Sequence, residues 1–241
     1  MMRRGVILIG LVVLFLVVGA SASTELTTLF QHISPSVGAL YAHSSGGDLN
    51  YLCSATAIGR EGKMTVVLTA WHCVKKDVAY MVSFDGRRLT PAHVWKGPHY
   101  EMAPKESPRE FNEPETDMAL FLTEANDVPV ISTGTDADVK VGDRIATVGF
   151  PLGVAKISYE GIVAGRYNRP GADQHNYLLL QIFGAPGSSG SAIIDQRTKK
   201  IIGVLVGARQ QAGLPVIFAT PISYQAWLLP VKKSRKNVAS P

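Results

Sequence analysis

Three residue types used in acyl-transfer catalysis occur along this chain in the order His72, Asp117 and Ser189, each beside an apolar segment. A histidine moves a proton near neutral pH, and a carboxylate can orient its ring. A serine hydroxyl activated by that histidine attacks a carbonyl carbon. The three types together predict nucleophilic catalysis through a covalent intermediate. Because each also occurs in structural positions, the surroundings of each residue decide the interpretation.

His72 lies in the segment LTAWHCV, where an apolar run leads into the histidine and Cys73 follows it. A general base must be held rigidly, and a crosslink at the next residue would hold this backbone. The alternative is an ordinary structural histidine beside a buried disulfide.

Asp117 lies in TDMALF, at the start of an apolar strand that follows a polar segment. From there the carboxylate could accept a hydrogen bond from the second imidazole nitrogen and fix the tautomer. The alternative is an aspartate that caps a turn at a strand start.

Ser189 lies in GAPGSSGSA, between two apolar strands. Gly187 and Gly190 let the backbone turn sharply and approach a substrate carbonyl. The amides of Gly187 and Ser189 are the predicted oxyanion donors. A flexible Gly/Ser hairpin is the alternative, but the apolar run Ala192 to Ile194 favours an ordered turn.

Cys53 and Cys73 are the only cysteines. In an oxidising compartment an isolated pair tends to close, so we expect a disulfide that contributes about 3 kcal/mol on the chain-entropy model. Two buried free thiols are the alternative. A metal site from these cysteines with His72 and His93 or His99 is disfavoured, since adjacent His72 and Cys73 suit tetrahedral geometry poorly. We expect neither a metal nor a cofactor.

Residues 1–22 have the pattern of a cleaved export signal: Arg3 and Arg4, an apolar run from Val6 to Val18, and Ala20-Ser21-Ala22. The run is shorter than the roughly 20 apolar residues of a comfortable membrane span. We therefore expect a secreted or periplasmic protein without a stable membrane span after signal removal. A retained membrane anchor is the alternative.

The basic residues are concentrated at the two ends of the chain. Removing Arg3, Arg4, Lys232, Lys233, Arg235 and Lys236 from the formal net charge of +5 leaves −1. No basic face for nucleic acid is implied. Residues 231–241 are predicted to be a flexible basic tail, with weak binding to anionic surfaces as the alternative role.

Short runs rich in Val, Ile, Leu, Tyr and Thr recur between Gly, Pro, Asp and Asn clusters, which is typical of an all-β chain. Twelve strands are predicted. They are Val37 to His43, Tyr51 to Ile58, Thr65 to Thr69, Ala79 to Phe84, His93 to Lys96, Met118 to Thr123, Arg144 to Gly149, Lys156 to Tyr167, Tyr177 to Phe183, Ser191 to Asp195, Lys200 to Val206 and Val216 to Thr220. Six strands precede the segment Glu124 to Asp138 and six follow it. This division suggests two six-stranded antiparallel barrels, residues 23–130 and 131–230, with the active site in the cleft between them. A short C-terminal helix is expected at Ser223 to Leu229.

The sequence segments around His72, Asp117 and Ser189 resemble the sequence motifs of the chymotrypsin-like, or trypsin-like, serine proteases. LTAWHCV is similar to the family's TAAHC box, TDMAL to its D-I-A-L box and PGSSGS to G-D-S-G-G, and the likeness runs from Val37 to Ile222. Cys53 and Cys73 stand where the family often has a disulfide. The resemblance implies a serine endopeptidase that acts on polypeptides, with Ser189 as nucleophile, His72 as general base and Asp117 as orienting carboxylate.

Ser188 departs from the family pattern, in which digestive members have an aspartate that pairs with a newly cut N-terminus. Activation by N-terminal insertion is therefore not expected. In this respect the chain looks more like the bacterial HtrA-type and glutamyl-endopeptidase-like branches. No PDZ-like extension follows the catalytic region, so the full HtrA architecture is not expected.

The resemblance also assigns a specificity pocket. Phe183, six residues before the nucleophile, would set side-chain preference, with walls from Val206, Gly207, Ala208 and Val216. A pocket without a buried carboxylate could not pair a Lys or Arg side chain. We expect small or medium aliphatic residues at the cleavage site.

Other classes fit the sequence less well. A catalytically inactive homologue that serves as a binding module is the chief alternative, although all three triad types are present. A cysteine protease would need a thiol in place of Ser189, and a nucleic-acid-binding barrel would need a basic, aromatic face.

Overall fold

The computed structural model describes residues 25–44, 46–75, 78–96, 117–168, 176–211 and 214–223. The predicted leader at residues 1–22 and the predicted tail at 231–241 lie outside them. So do His99 and nearly all of the helix expected at Ser223 to Leu229.

The described chain is mostly β, as predicted. Twelve strands are present: β1 (Val37–His43), β2 (Leu49–Glu61), β3 (Met64–Thr69), β4 (Ala79–Ser83), β5 (Thr90–Lys96), β6 (Ala119–Thr123), β7 (Arg144–Gly149), β8 (Ile157–Asn168), β9 (Asn176–Gln181), β10 (Ala192–Asp195), β11 (Lys200–Gln211) and β12 (Leu214–Pro221). Short 3-10 turns occupy Ser34–Ser36, Trp71–Cys73 and Pro151–Gly153. Residues 25–33 are α-helical, which the sequence interpretation did not anticipate.

The strands close into two antiparallel barrels, which confirms the predicted architecture. The first barrel has the order β1-β2-β3-β6-β5-β4, and the second has the order β10-β11-β12-β9-β8-β7. Closure gives each of these strands a neighbour on both sides, although the outer part of β11 pairs with β12 alone.

Strand β3 has buried side chains on both of its faces. On β3, neighbouring residues point to opposite faces, yet Val66, Val67 and Leu68 are all buried. Val67 joins a cluster inside the first barrel with Leu40 and Phe121. Its neighbours face outward and are nevertheless covered, because the second barrel lies against them.

One apolar cluster joins the two barrels. It contains Val66 and Leu68 of the first barrel and Ala146 and Ile194 of the second, together with helix residues such as Leu29. The spacing of Leu26, Leu29, Phe30 and Ile33 places apolar side chains on one face of the helix, and this face packs on the cluster.

A lysine also connects the barrels. The Lys156 ammonium, just before β8, donates hydrogen bonds to the carbonyl oxygens of Ser34 at 2.9 Å and Phe84 at 2.8 Å. It lies 5.6 Å from the centre of the Phe150 ring. The segment between β7 and β8 is therefore held against the first barrel.

Candidate functional site

The end of β3 positions His72. Thr69 is the last residue of the strand, Ala70 is extended, and Trp71–Cys73 form a 3-10 turn. The turn is closed by the Val74 N–H, which donates to the Trp71 carbonyl at 2.8 Å. The predicted Cys53–Cys73 disulfide is present and joins this turn to β2. The histidine therefore sits on a backbone that is fixed at both ends, as a general base requires.

Asp117 lies two residues before β6, and β6 pairs directly with β3 through Thr69 and Ala119. This register brings Asp117 opposite the histidine turn. One carboxylate oxygen accepts the His72 backbone N–H at 2.9 Å, and the other lies 2.7 Å from His72 Nδ1. A carboxylate only accepts hydrogen bonds, so Nδ1 carries the proton and Nε2 is the basic nitrogen of the neutral ring.

The carboxylate is better protected from water than the ring that it holds. The Asp117 side chain is 11% exposed, whereas that of His72 is 33% exposed. A buried hydrogen-bonded carboxylate orients the ring, while the more exposed ring can still reach a substrate.

Ser189 lies in a tight turn between β9 and β10. The turn is closed by the Ser188 N–H, which donates to the Ala185 carbonyl at 2.9 Å, and by the Ser191 N–H, which donates to the Ser188 carbonyl at 3.1 Å. Gly187 and Gly190 have φ of +92° and +85°, values that favour glycine. The predicted ordered turn is therefore present, in place of a flexible Gly/Ser hairpin.

Ser54 of β2 connects the two halves of the site. Its backbone N–H donates to the carbonyl oxygens of Ser189 at 2.9 Å and Gly187 at 3.1 Å. Ser54 follows Cys53, whose disulfide partner Cys73 is next to His72. The serine turn of the second barrel and the histidine turn of the first are thus both attached to the dipeptide Cys53-Ser54.

The peptide between Pro186 and Gly187 has a defined orientation. The Pro186 carbonyl accepts the Leu152 N–H at 2.7 Å, and the described chain contains no cis peptide bond. In a trans peptide the N–H points opposite to the carbonyl. The Gly187 N–H therefore points away from Leu152, and the hydrogen bond from Leu152 to the Pro186 carbonyl fixes this orientation.

The five residues predicted to form a specificity pocket all lie on the second barrel. Phe183 follows β9, is 55% exposed and stacks on Tyr159 with ring centres 5.0 Å apart. Val206, Gly207 and Ala208 lie on β11, where a bulge interrupts the pairing between Leu205 and Gly207. Val216 pairs with Arg209 across the same two-stranded ribbon and is 38% exposed.

Cys53, His72 and Cys73 lie close enough for a metal cluster, with potential ligand atoms within 4.8 Å of one another. Both sulfurs are joined in the disulfide, so they offer no thiolate to a metal ion. His93, exposed on β5, is not part of this group.

Sequence reasoning missed Tyr51 and Ser54. The Tyr51 hydroxyl is within hydrogen-bond distance of the Gly187 and Phe150 carbonyls, and the Ser54 hydroxyl donates to Gly187 O at 3.0 Å. Ser54 also accepts the Phe150 N–H at 2.9 Å. The available signal was a serine within the run LCSATAI of a predicted strand, since a hydroxyl that such a strand buries needs a partner.

Among the described residues, no helix has the length and apolar character needed to cross a membrane.

The family model of the trypsin-like peptidase domain matches residues 53–204 of this chain, a range that contains His72, Asp117 and Ser189. The match covers more than half of the sequence.

Curated relatives are similar over part of their length. A probable periplasmic serine endoprotease, DegP-like, from Hahella chejuensis (strain KCTC 2396) is 26% identical over 151 residues, which are 59% of this chain and 32% of the relative. A protein of the same description from Marinomonas sp. (strain MWYL1) is 27% identical over 139 residues, 55% of this chain and 29% of the relative. The chain thus spans about a third of the length of these relatives.

Solved structures share the fold. The HtrA-type protease AlgW with decapeptide superposes with a TM-score of 0.65 at 20% identity, covering 82% of this chain and 64% of that chain. The serine endoprotease from Yersinia pestis gives a TM-score of 0.61 at 18% identity, covering 83% of this chain and 64% of that chain.

Proposed function

The chain belongs to the family of trypsin-like peptidase domains, and on that premise we propose that it is an exported serine endopeptidase. Ser189 is the nucleophile, His72 the general base and Asp117 the orienting carboxylate. The observation that carries the proposal is the pair of hydrogen bonds from His72 to Asp117, at 2.9 and 2.7 Å, because they hold the basic nitrogen of the ring away from the carboxylate.

The proposed reaction has two halves. In the first, Ser189 Oγ attacks the scissile carbonyl carbon while its proton passes to His72 Nε2, and the charged ring is stabilised by Asp117. The tetrahedral intermediate then expels the amine, which takes the proton from His72, and leaves an acyl-enzyme. In the second half, water attacks the ester by the same proton transfers and releases the acid.

The oxyanion formed in each half needs donors that are already in place. The backbone N–H groups of Gly187 and Ser189 are proposed for this role. Their support is the fixed turn: the Leu152–Pro186 hydrogen bond orients the peptide of Gly187, and the Ser54–Ser189 hydrogen bond holds Ser189 itself.

The proposed substrate is a polypeptide with a small or medium aliphatic residue at the cleavage site. Phe183, Val206, Gly207, Ala208 and Val216 offer no carboxylate to a Lys or Arg side chain, and such a side chain would have to be buried unpaired. The peptide bound to AlgW in its solved structure supports a polypeptide substrate for this fold.

Export is proposed from the leader pattern at residues 1–22 and from the periplasmic description of the relatives. The disulfide between Cys53 and Cys73 is consistent with an oxidising compartment.

A fluorophosphonate probe tests the proposed function, since it labels activated serines without knowledge of the substrate. The full chain, Ser189→Ala, His72→Ala and the control Ser188→Ala are treated with the probe, and the adduct is mapped by mass spectrometry. We expect labelling at Ser189 in the wild type and in the control, and none in the other two variants. A folded, oxidised wild type that is not labelled would contradict the proposal.

A further inference from the structure

The Tyr51 hydroxyl of β2 crosses from the first barrel to two backbone carbonyls of the second. Its oxygen lies 2.6 Å from the Gly187 carbonyl oxygen and 2.8 Å from that of Phe150. A tyrosine hydroxyl has one proton to donate, so the two carbonyls share a single donor. Both acceptors lie in segments that shape the proposed oxyanion site.

In the part of the chain that the structure describes, the Gly187 carbonyl is held by two residues of β2. It accepts the Tyr51 hydroxyl at 2.6 Å, the Ser54 hydroxyl at 3.0 Å and the Ser54 backbone N–H at 3.1 Å. The tyrosine contact is the shortest of the three. The carbonyl and the N–H of Gly187 belong to adjacent peptide planes that meet at its Cα. The Leu152 N–H fixes the plane of the Gly187 N–H through the Pro186 carbonyl, and the contacts from β2 fix the plane that follows, so that both sides of Gly187 are held.

The Tyr51 ring adds a steric restraint to the hydrogen bond. A Cβ atom placed on Gly187 would lie 2.7 Å from Tyr51 Cε1, and one on Gly153 would lie 2.6 Å from Tyr51 Cδ1. Both glycines have positive φ, +92° and +69°. The ring therefore occupies the space between two glycine turns, one before Ser189 and one beside Leu152.

We propose that Tyr51 is a positioning residue for the oxyanion site: its hydroxyl and ring hold Gly187 so that the Gly187 N–H stays directed at the developing negative charge. This inference rests on the proposed function. It assigns Tyr51 no contact with the substrate, and it places the control of oxyanion stabilisation on a residue of the barrel that carries His72.

The test uses the rate of fluorophosphonate labelling, separated into the affinity of the probe and the rate constant of the chemical step. In Tyr51→Phe, which keeps the ring and removes the hydroxyl, we expect the chemical rate constant to fall about tenfold with little change in probe affinity. The loss is smaller than the 10²–10³-fold typical of deleting an oxyanion donor, because Ser54 still binds Gly187. Tyr41→Phe is the matched control, since Tyr41 packs edge-on against Tyr51 with ring centres 5.8 Å apart.

A second protein keeps the proposal testable where Tyr51→Phe folds poorly. With 3,5-difluorotyrosine at position 51, the hydroxyl remains but ionises at a lower pH, and an ionised oxygen no longer donates. We expect the labelling rate to fall on the alkaline side at a lower pH than in the wild type. An unshifted pH profile, or a wild-type chemical rate constant in Tyr51→Phe, would overturn the proposal.

The two proposals fail in different ways. If the wild type is not labelled at Ser189, the proposed function fails. If the wild type is labelled at Ser189, but Tyr51→Phe keeps the wild-type chemical rate constant or the difluorotyrosine protein keeps the wild-type pH profile, the function stands and the role of Tyr51 is wrong.

Discussion

Ser54 donates its backbone N–H to the carbonyl oxygen of Ser189 at 2.9 Å, across the boundary between the two barrels. The donor follows Cys53, whose disulfide holds the histidine turn. The turn of the proposed nucleophile and the turn of its proposed base are therefore both attached to one short stretch of β2, and changes in this stretch should affect both stability and reactivity.

Ser54→Ala removes a fully buried hydroxyl that accepts the Phe150 N–H and donates to Gly187 O. The Phe150 N–H loses its partner, so we expect the free energy of unfolding to fall by about 1–3 kcal/mol. Urea denaturation measures the change. Ser132→Ala, at an exposed serine, should stay within about 0.5 kcal/mol of the wild type. Equal effects at the two positions would contradict the role given to Ser54.

Gly190→Ala places a methyl group where the turn has no room. Its Cβ would lie 2.1 Å from the Ser54 carbonyl oxygen and 2.3 Å from Thr69 Oγ1, at a φ of +85°. We expect a loss of about 3 kcal/mol or more, together with loss of probe labelling at Ser189. Gly59→Ala is the control, because nothing lies within 4 Å of its Cβ. A stable, reactive Gly190→Ala protein would show that the turn differs from the one described.

Asp117→Asn tests the orientation of the imidazole. An amide can donate as well as accept, so it no longer forces the proton onto His72 Nδ1. We expect the labelling rate at Ser189 to fall roughly ten-thousand-fold, the size seen in triads that lose this carboxylate. Asp127→Asn, at an exposed aspartate, should react like the wild type. A small change in the labelling rate of Asp117→Asn would contradict the proposed role of Asp117 as the orienting carboxylate.

Replacing both Cys53 and Cys73 with alanine removes the crosslink between β2 and the histidine turn. The bond closes a 20-residue separation, so the unfolded state gains freedom and stability should fall by about 3 kcal/mol. Thermal unfolding of the oxidised and reduced wild type gives a matched comparison. Oxidised and reduced proteins with the same melting temperature would contradict this estimate.

Burial raises the pKa of Tyr51 from 10.0 to about 12. The folded protein thus holds this proton more tightly than the unfolded chain does. The resulting stabilisation is complete below pH 10 and is lost as the pH rises through about 12. As the pH rises from 10 to about 12, we expect the stability of Tyr51→Phe to fall less than that of the wild type. The stability of Tyr41→Phe should fall as much as that of the wild type. Melting temperatures measured across this range check the difference, and parallel curves for the wild type and Tyr51→Phe would refute it.

The barrels and the candidate site segments could be predicted because both have local signals in the sequence. Short runs rich in Val, Ile, Leu, Tyr and Thr between turn residues mark the strands, and the segments around His72, Asp117 and Ser189 have distinctive neighbours. Strand ends were less predictable: β11 continues beyond Val206 to Gln211, because pairing with β12 extends a ribbon whose outer residues carry no apolar pattern.

The contacts between the barrels could not be predicted. Tyr51 reaches Gly187 over a sequence separation of 136 residues, and Ser54 reaches Phe150 over 96. Nothing in the local sequence of Tyr51 distinguishes it from an ordinary strand tyrosine. The helix at residues 25–33 had a local signal in the spacing of Leu26, Leu29 and Ile33, but its packing surface exists only after both barrels have formed.

The apolar cluster shared by the helix and both barrels means that the two-barrel architecture is not modular. Leu68 of one barrel and Ile194 of the other are both buried in this cluster. Each barrel also has an apolar cluster of its own. A gene split between β6 and β7 would nevertheless give two fragments that expose the shared surface, and these fragments should cover it again by complementation with one another. A break in the peptide between the barrels should be tolerated by the assembled protein.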